Sequence, residues 1–563
     1  GSGSIVETLN ALRMYGYEYN NRYYNDRDDC GFQLATIKEG DCASWGNPLS
    51  EMYLEVLRYY AGASATAAFS ANDSGYLSSL KSESWVDPLN ANNYCADLST
   101  VVFNASVNDY DNDQMSGISD LGATTSASAL TDVVAKAEGL LGKKVFIGRN
   151  GTTNDELCSA KTLTSLGDSA GICPEAPTKL GSYLMVGAAH YAATNDIRPS
   201  YPSSGPGKGT VQTVKTYGVA LSPAVPKVEI PVPGDSTRQV TLLPAYRNLS
   251  DPNQPGGGSL VRFRIVEPHS ESSGTGKGKF FVSWEDSEQG GDHDQDVWGL
   301  LTYEITTTQI KVTTETVAES TSTKQLFGYI VSGTTNDGFH AHSGIEGVNF
   351  TDPTGVLGCN DCRPSASGAG AGSGQHGPTS VTYTLGNTDG LLLEPPLYYA
   401  SKYGGFNDSD AVGDAGFGFP DKQPEWDQLD ANGAANPDGV PDNYFFVDNP
   451  AALEAALQSV FDKIISSTAS GTAAAVVANA REGEGAVYQA LFEPSRTDND
   501  GREVRWIGTV HALWIDGDGN LREDDGDAVL ESFTADPAVE LFFDDKQGRV
   551  RFRRYKGDPN TVT

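Results

Sequence analysis

The rhythm of apolar residues changes twice along this chain, and no single sheet, bundle or repeat accommodates all three rhythms. Up to residue 221, stretches at helical spacing alternate with short apolar runs. Residues 5–16 (Ile5, Val6, Leu9, Leu12, Met14) and 48–61 (Leu49, Met52, Leu54, Leu57, Tyr60) have the helical period. A polar, aromatic loop from Tyr17 to Trp45 separates them. Ser99-Thr100-Val101-Val102-Phe103-Asn104 reads as a short buried strand. Residues 127–142 read as a helix running into the strand Lys144 to Gly148. Leu180 to Ala193 reads as a helix and Val214 to Leu221 as a strand. Helices alternating with strands predict an α/β layer with a largely parallel sheet.

From residue 222 to about 390 the period falls to two. Gln239–Leu243, Leu260–Ile265, Lys279–Trp284 and Gln309–Thr316 alternate apolar with polar residues, and glycine-rich loops such as Gly368 to Gly377 separate such runs. This predicts a β-rich insertion. The third rhythm begins at the strand Tyr444-Phe445-Phe446-Val447. Asn449 is placed to cap a helix with Pro450 as its first residue, and Leu453, Leu457, Val460, Phe461, Ile464 and Ile465 share one face. A small-residue linker, Ser466 to Ala480, leads to segments that read as all-β: Ala486–Ala490, Trp506–Trp514, Val539–Phe543 and Val550–Phe552. At 563 residues the chain exceeds what one hydrophobic core supports, so at least two domains are expected.

Charge narrows the function. The formal net charge is −35, from 74 carboxylates against 39 Lys and Arg, and such a surface repels phosphate backbones and anionic lipid. Nucleic acid is excluded as a partner, and divalent cations are favoured. No apolar run approaches the 18 residues a membrane span needs. The chain opens Gly1-Ser2-Gly3-Ser4 without an initiator Met, which reads as a mature or excised fragment whose first four residues are a cloning scar. Cys30 and Cys42 bracket one polar loop and Cys158 and Cys173 another. Short-range pairs of this kind read as disulfides of an exported protein. Cys359 and Cys362 form a CxxC whose pairing is open, and zinc at this CxxC lacks a second pair of ligands. Cys95 reads as a small buried apolar residue.

Several stretches together resemble the PilC/PilY family of type IV pilus tip adhesins. They are Leu12-Arg13-Met14-Tyr15-Gly16-Tyr17, Trp45-Gly46-Asn47-Pro48, Val102-Phe103-Asn104-Ala105-Ser106, Gly171-Ile172-Cys173-Pro174-Glu175-Ala176-Pro177, Gly290-Gly291-Asp292 with Asp294 and Asp296, Tyr444-Phe445-Phe446-Val447-Asp448-Asn449-Pro450, and Trp506-Ile507-Gly508. The order strand 214–221, long insertion, strand 444–447, helix 450–465 resembles the end of a von Willebrand factor A domain. Gly46-Asn47-Pro48-Leu49 resembles that domain's metal loop. The resemblance implies an α/β, Rossmann-type von Willebrand factor A-like domain in two parts, 1–221 and 441–466, around a β-rich insertion at 222–440. A linker and the first strands of a partial β-propeller would follow at 467–563. The A-domain metal site is expected to be degenerate: Ser2-Gly3-Ser4 lacks its Asp, and Asn47 and Asn104 stand where Thr and Asp are usual. Asp109, Asp111 and Asp113 lie just beyond and are placed to compensate.

The sharpest chemical signal is Asp516-Gly517-Asp518-Gly519-Asn520-Leu521-Arg522-Glu523-Asp524. Side-chain oxygens of Asp516, Asp518 and Asn520 at alternate positions, a backbone carbonyl from Arg522 and a closing Asp524 wrap a loop around one Ca²⁺, which takes six to eight oxygens. No Glu stands at position 12, where Asp527 is found, and no helices flank the loop, so the site is expected between β-strands. It also matches the Asp-x-Asp-x-Asn-x-x-x-Asp pattern of the resembled family's calcium loop. Weaker candidates are 430–442 (Asp430, Asn432, Asp438, Asp442), where Asp-Gly and Asn-Gly are also ordinary turn chemistry, the acids of 285–296, and Asp498-Asn499-Asp500-Gly501. His340 and His342 share one side of a strand; exposed histidines are the simpler reading than a zinc pair. Neither Gly-x-Ser-x-Gly, a P-loop, HExxH nor a dinucleotide-binding glycine fingerprint occurs. The expectation is a non-enzymatic, calcium-binding pilus-tip adhesin at the extracellular face of the outer membrane. It would support pilus biogenesis, surface attachment and twitching motility, with minor pilins and a host or abiotic surface receptor as partners. The alternative is a secreted, calcium-stabilised hydrolase acting on polysaccharide, which requires an aromatic groove with two carboxylates about 5–10 Å apart.

Overall fold

Strands at the start of the chain need partners far downstream, and the structure supplies them. A computed structural model describes residues 47–69, 85–90, 93–94, 96–199, 201–202, 210–221, 225–249, 258–285, 295–366, 374–386, 390–414, 416–430, 434–447, 449–467, 475–478, 485–497, 503–516, 520–523, 532, 535–544 and 549–555, with the short pairs 17–18 and 23–24; over much of the region beyond 465 it describes backbone alone. The expected helix at 5–16, Cys30, Cys42 and Cys95 lie outside the described residues. The chain divides into two compact units, residues 1–456 and 457–563.

In the first unit, α1 (Leu49–Tyr60) buries Leu49, Tyr53, Leu54 and Leu57; Met52, expected on the same face, is 57% exposed instead, and Val56 is exposed with it. Strand β1 (Leu98–Asn104) follows, then α2 (Ala127–Ala137), capped by Ser126, whose Oγ accepts from the Ala129 amide at 3.1 Å. Helix α2 stops five residues before the predicted end because Gly139 and Gly142 adopt φ of 63° and 84°, which no helix continues. Strand β2 (Lys144–Phe146) pairs antiparallel with β3 (Ala160–Thr162) in a small sheet of its own. Helix α3 (Leu184–Thr194) is buried almost all round, and β4 (Val214–Leu221) completes this half of the layer.

The period-two region forms two antiparallel sheets. One orders β5 (Val228–Val232), β6 (Asp235–Asn248), β11 (Gln325–Ser332) and β12 (Gly338–Gly344). The other orders β7 (Ser259–Ser272), β8 (Thr275–Glu285), β9 (Val297–Ile305), β10 (Gln309–Glu319) and β13 (Thr379–Thr384). Ile230, Leu242, Leu326 and Tyr329 from the first share one core with Val282, Leu301, Ile310 and Val312 from the second. Alternation is clearest on β9, where every second residue from Val297 to Ile305 is buried.

After β14 (Gly390–Leu391), which adds in parallel to β2, the chain returns to the first core. Helix α4 (Pro396–Gly405) buries Leu397, Tyr399, Ala400 and Tyr403 there, an element that periodicity did not predict. It lies so close to β4 that a Cβ on Gly218 would sit 2.4 Å from Ser401 Oγ and 2.8 Å from Leu397 Cγ. Strand β15 (Tyr444–Val447) then pairs parallel with β4, which pairs parallel with β1, giving the order β15-β4-β1. Asn449 Oδ1 accepts from the Ala451 amide at the entry to a 3₁₀ turn (Pro450–Ala452) and α5 (Leu453–Ser467). Val460 on α5 is fully buried, but Phe461, expected on the same face, is 51% exposed, one position too far round the helix.

In the second unit, β16 (Ala475–Ala478), β17 (Gly485–Thr497), β18 (Glu503–Ile515), β19 (Leu521–Arg522), β20 (Ala538–Asp544) and β21 (Arg549–Tyr555) form a six-stranded antiparallel meander in chain order. Cys158 and Cys173 form a disulfide across 15 residues, and Cys359 and Cys362 bond to each other.

Candidate metal-binding sites

The predicted calcium loop is the turn between β18 and β19, between strands as its flanking residues required. Its ends are tied by the backbone: the Asp516 amide donates to Asn520 O at 3.1 Å. Asp516 is 7% exposed and turns its carboxylate into the loop. Oδ1 accepts from the Asn520 amide at 2.8 Å, and Asn520 Nδ2 reaches Oδ1 at 3.2 Å and Oδ2 at 3.1 Å. A half-turn of the Asn520 amide exchanges donor for acceptor and faces a second oxygen into the same space. Arg522 is buried, and its side chain is engaged on either side of the loop's end. Nε donates to Asp536 O at 2.7 Å, and the guanidinium lies 3.6 Å from Asp516 Oδ2. First and fifth loop positions are thus brought together with hard-oxygen chemistry that fits Ca²⁺. Asp518 and Asp524 lie outside the described residues.

The other acidic stretches are held by protein donors. Asp430 Oδ1 accepts from the Ala434 amide, Asp438 Oδ1 from Val440, and Asp442 Oδ1 from both Gln428 and Leu429. This is the turn chemistry expected of such residues; Asn432 lies outside the described residues. Glu285 and Asp296 are buried at the facing ends of β8 and β9, and the acids between them lie outside the described residues, as do Asp498 and Asp500.

At the loop expected to resemble an A-domain metal loop, Asn47 Nδ2 donates to Asn104 Oδ1 at 2.9 Å. The Asn47 amide donates to Asp109, whose carboxylate has Lys179 Nζ at 3.6 Å. Asp111 is completely buried and accepts from Ser50 Oγ at 2.7 Å, Asn108 Nδ2 at 2.8 Å and the Ser182 amide at 2.6 Å, while burial pushes its carboxyl up. Asp113 is exposed, and its Oδ2 accepts from Gln114 Nε2 at 3.0 Å. Amides, a hydroxyl and an ammonium thus stand against Asp109 and Asp111, the residues placed to compensate at that loop.

His340 and His342 are not exposed. Both are 0% exposed on β12, inside the sandwich. His340 Nδ1 lies 2.7 Å from Asp352 Oδ2 and its Nε2 2.7 Å from Asn336 O. His342 Nδ1 lies 3.1 Å from Thr314 Oγ1, and its Nε2 2.9 Å from Tyr329 OH, which meets Tyr383 OH at 2.7 Å. Burial, then the neighbouring His340, push His342 down to about 4, so it is neutral at ordinary pH. The network satisfies a polar core.

One cluster escaped the sequence reading altogether: oxygens of Asp408, Asp410 and Glu425 lie within 4.8 Å of one another. Asp408-Ser409-Asp410 was the available signal, but Glu425 arrives from a separate turn.

Comparison with known proteins agrees with this architecture. Residues 2–192 match the family model described as "PilY1 homolog, second domain", and residues 265–343, which run from β7 into β12, match "PilY1 homolog, beta-sandwich". The chain is 27% identical over 580 residues to the "Type IV pilus biogenesis factor PilY1 homolog" of Xylella fastidiosa strain Temecula1, an alignment covering 92% of this chain and 36% of that protein. The chain therefore spans about a third of the length of the curated relative it matches. No solved structure matches it. Two family matches, one of them on the sandwich seen in the structure, and an alignment along nearly the whole sequence agree in the likeness they report: the chain is similar to the PilY1 family along most of its length.

Proposed function

We propose that this chain is part of a non-enzymatic, calcium-binding adhesin of the type IV pilus tip, acting in pilus biogenesis, surface attachment and twitching motility. The observation that carries this reading is the alignment over 92% of the chain to a type IV pilus biogenesis factor. In this reading the parallel layer β15-β4-β1 with its helices is a von Willebrand factor A-like domain presenting loops to a host or abiotic surface. The meander β16 to β21 is the opening of a β-propeller, and minor pilins are the docking partners at the extracellular face of the outer membrane. Asp516, Asp518, Asn520, the Arg522 carbonyl and Asp524 would hold Ca²⁺ between β18 and β19. An ion there ties two strands that otherwise meet through a short turn, which stiffens the sheet against the pull of a retracting filament.

Calorimetric Ca²⁺ titration tests the metal half. Wild type should bind at the turn, and Asp516→Ala with Asp518→Ala should lose that binding; equal heats in both would eliminate the site. The pilus half is tested by complementing a strain that lacks the full-length protein. The double variant should restore less surface piliation and twitching than wild type. Release of reducing sugar from a polysaccharide panel by the purified chain would favour the hydrolase instead.

A further inference from the structure

The segment between α4 and β15 is a lobe fastened to the first core. Lys215 Nζ donates to Asn407 Oδ1 at 3.0 Å, the Asn407 amide to Glu425 O at 2.8 Å, and His190 on α3 meets Gly418 O at 2.7 Å while packing on the Phe419 ring. Its acids face one another. Besides the convergence of Asp408, Asp410 and Glu425, Asp421 approaches Asp410 beside Gly416. A Cβ on Gly416 would lie 2.3 Å from Asp421 Oδ2 and 2.4 Å from Asp410 Oδ2, so the two oxygens oppose each other across a glycine that leaves the space between them open.

Acids in proximity are common and prove nothing; the distinguishing feature is one oxygen. The Asp410 side chain is 10% exposed, and its Oδ2 is buried with no hydrogen-bond partner, aimed into the cluster. A buried, ionised oxygen left without a donor is costly, and this one faces another carboxylate. Its sister oxygen accepts from Lys422 Nζ, which is also 3.7 Å from Glu425. That ammonium, on a half-exposed side chain, is the one cation given to the cluster among the described residues. Asp408 accepts from the Asp410 and Gly418 amides, and Glu425 from the Ser409 hydroxyl and the Ser409 and Lys422 amides, but no donor reaches Asp410 Oδ2.

We propose that Asp408, Asp410, Asp421 and Glu425 form a second cation site, taking a hard divalent ion of the Ca²⁺ class, with Asp410 Oδ2 as its central ligand and Lys422 as the group the ion displaces. The donors are all oxygen, with neither sulfur nor imidazole, which selects Ca²⁺ over Zn²⁺. A loop supplying several carboxylates suits the larger, less demanding shell of Ca²⁺ over the strict octahedron of Mg²⁺. The site stands on residues separate from the 516–524 turn.

The test uses the full chain carrying Asp516→Asn and Asp518→Asn, which silences the other candidate and keeps the two failures apart. Ca²⁺ titration of this background should still show one site per chain. Adding Asp410→Asn with Asp421→Asn should weaken it by more than about 100-fold, with circular dichroism confirming the fold. Lys422→Met should tighten it by about tenfold, because the competing ammonium is gone. It should also render thermal stability strongly Ca²⁺-dependent, since no counter-charge then remains without the ion. The proposal is overturned if the background binds no Ca²⁺, if the carboxylate variants bind as well as their parent, or if Lys422→Met melts at the same temperature with and without Ca²⁺.

Discussion

Glu51 shows how one buried carboxyl makes the first core pH-dependent. It lies in the first turn of α1, 4% exposed, with Oε1 accepting from the amides of Asp113 at 3.2 Å and Gln114 at 3.0 Å. Burial, then its contact with the Asp113 side chain, push it up to about 8 from an ordinary 4.5. The folded state therefore holds a proton that the unfolded chain has released between those limits. Its contribution is fully present below pH 4.5 and lost as pH rises through about 8. Glu51→Gln keeps an acceptor for both amides and cannot titrate. Its melting temperature should match wild type near pH 4.5 and exceed it at pH 8; parallel melting curves at both pH values would refute the assignment. The sandwich network gives the opposite sign. His342, held down to about 4, contributes stability above its ordinary 6.5 that disappears as pH falls towards 4. Tyr329→Phe removes a hydroxyl bonded to both His342 and Tyr383 and leaves their polar atoms buried. A loss of about 1–3 kcal/mol in urea denaturation is expected. The burial of these histidines was not legible in Gly338 to Gly344, because a strand face of His and Ser reads as solvent-facing. Its partners Thr314, Tyr329, Asp352 and Tyr383 come from four other segments of the chain.

Elements were legible wherever local pattern matched final burial. Strand β9 and helix α1 show period two and period 3.6 because each has one wet face, and burial follows the pattern except at Met52. Helix α4 failed to show because its buried face is built from Tyr, Ser and Lys402 as well as Leu397, and Pro395, Pro396, Gly404 and Gly405 at its ends read as a loop. Lys402 is buried through a pair with Glu138 at 2.6 Å and a place 4.0 Å over the Trp426 ring, neither visible locally. The same contrast separates the two proposed cation sites. Asp516 and Asn520 fall in one turn and declare themselves by spacing, whereas Asp410 and Asp421 meet only through the fold of the 406–425 lobe. Cysteine pairing was legible for Cys158 and Cys173 because both flank one polar loop, and for that bond the energetic consequence is calculable. Closing about 15 residues restricts the unfolded chain by about 3 kcal/mol, a separation the structure gives directly. Cys158→Ser with Cys173→Ser should lower the denaturation free energy of the first unit by that order, and the wild type should lose as much under reductant. An unchanged midpoint in both cases would mean that the loop is held by its own packing.

At the scale of the molecule, a net charge of −35 is distributed over two compact units, each with its own candidate cation site. Self-repulsion of this size weakens the folded state at low ionic strength, and salt relieves it everywhere at once, because screening over about 10 Å at 0.1 M does not discriminate between sites. A bound ion acts only on the unit that binds it, by about 2.7 kcal/mol when free ion is 100 times its dissociation constant. Two compact units predict two calorimetric transitions, one for residues 1–456 and one for 457–563. NaCl should raise both. CaCl₂ at matched ionic strength should raise each a second time: the transition of 457–563 through Asp516 and Asp518, and that of 1–456 through Asp410 and Asp421. Asp516→Asn with Asp518→Asn should freeze the first of these Ca²⁺ responses and leave the second, and Asp410→Asn with Asp421→Asn should do the reverse. If Ca²⁺ and ionic-strength-matched NaCl move both transitions equally, the acidity of this chain is a solubilising surface, and the ion cages assigned to it do not exist.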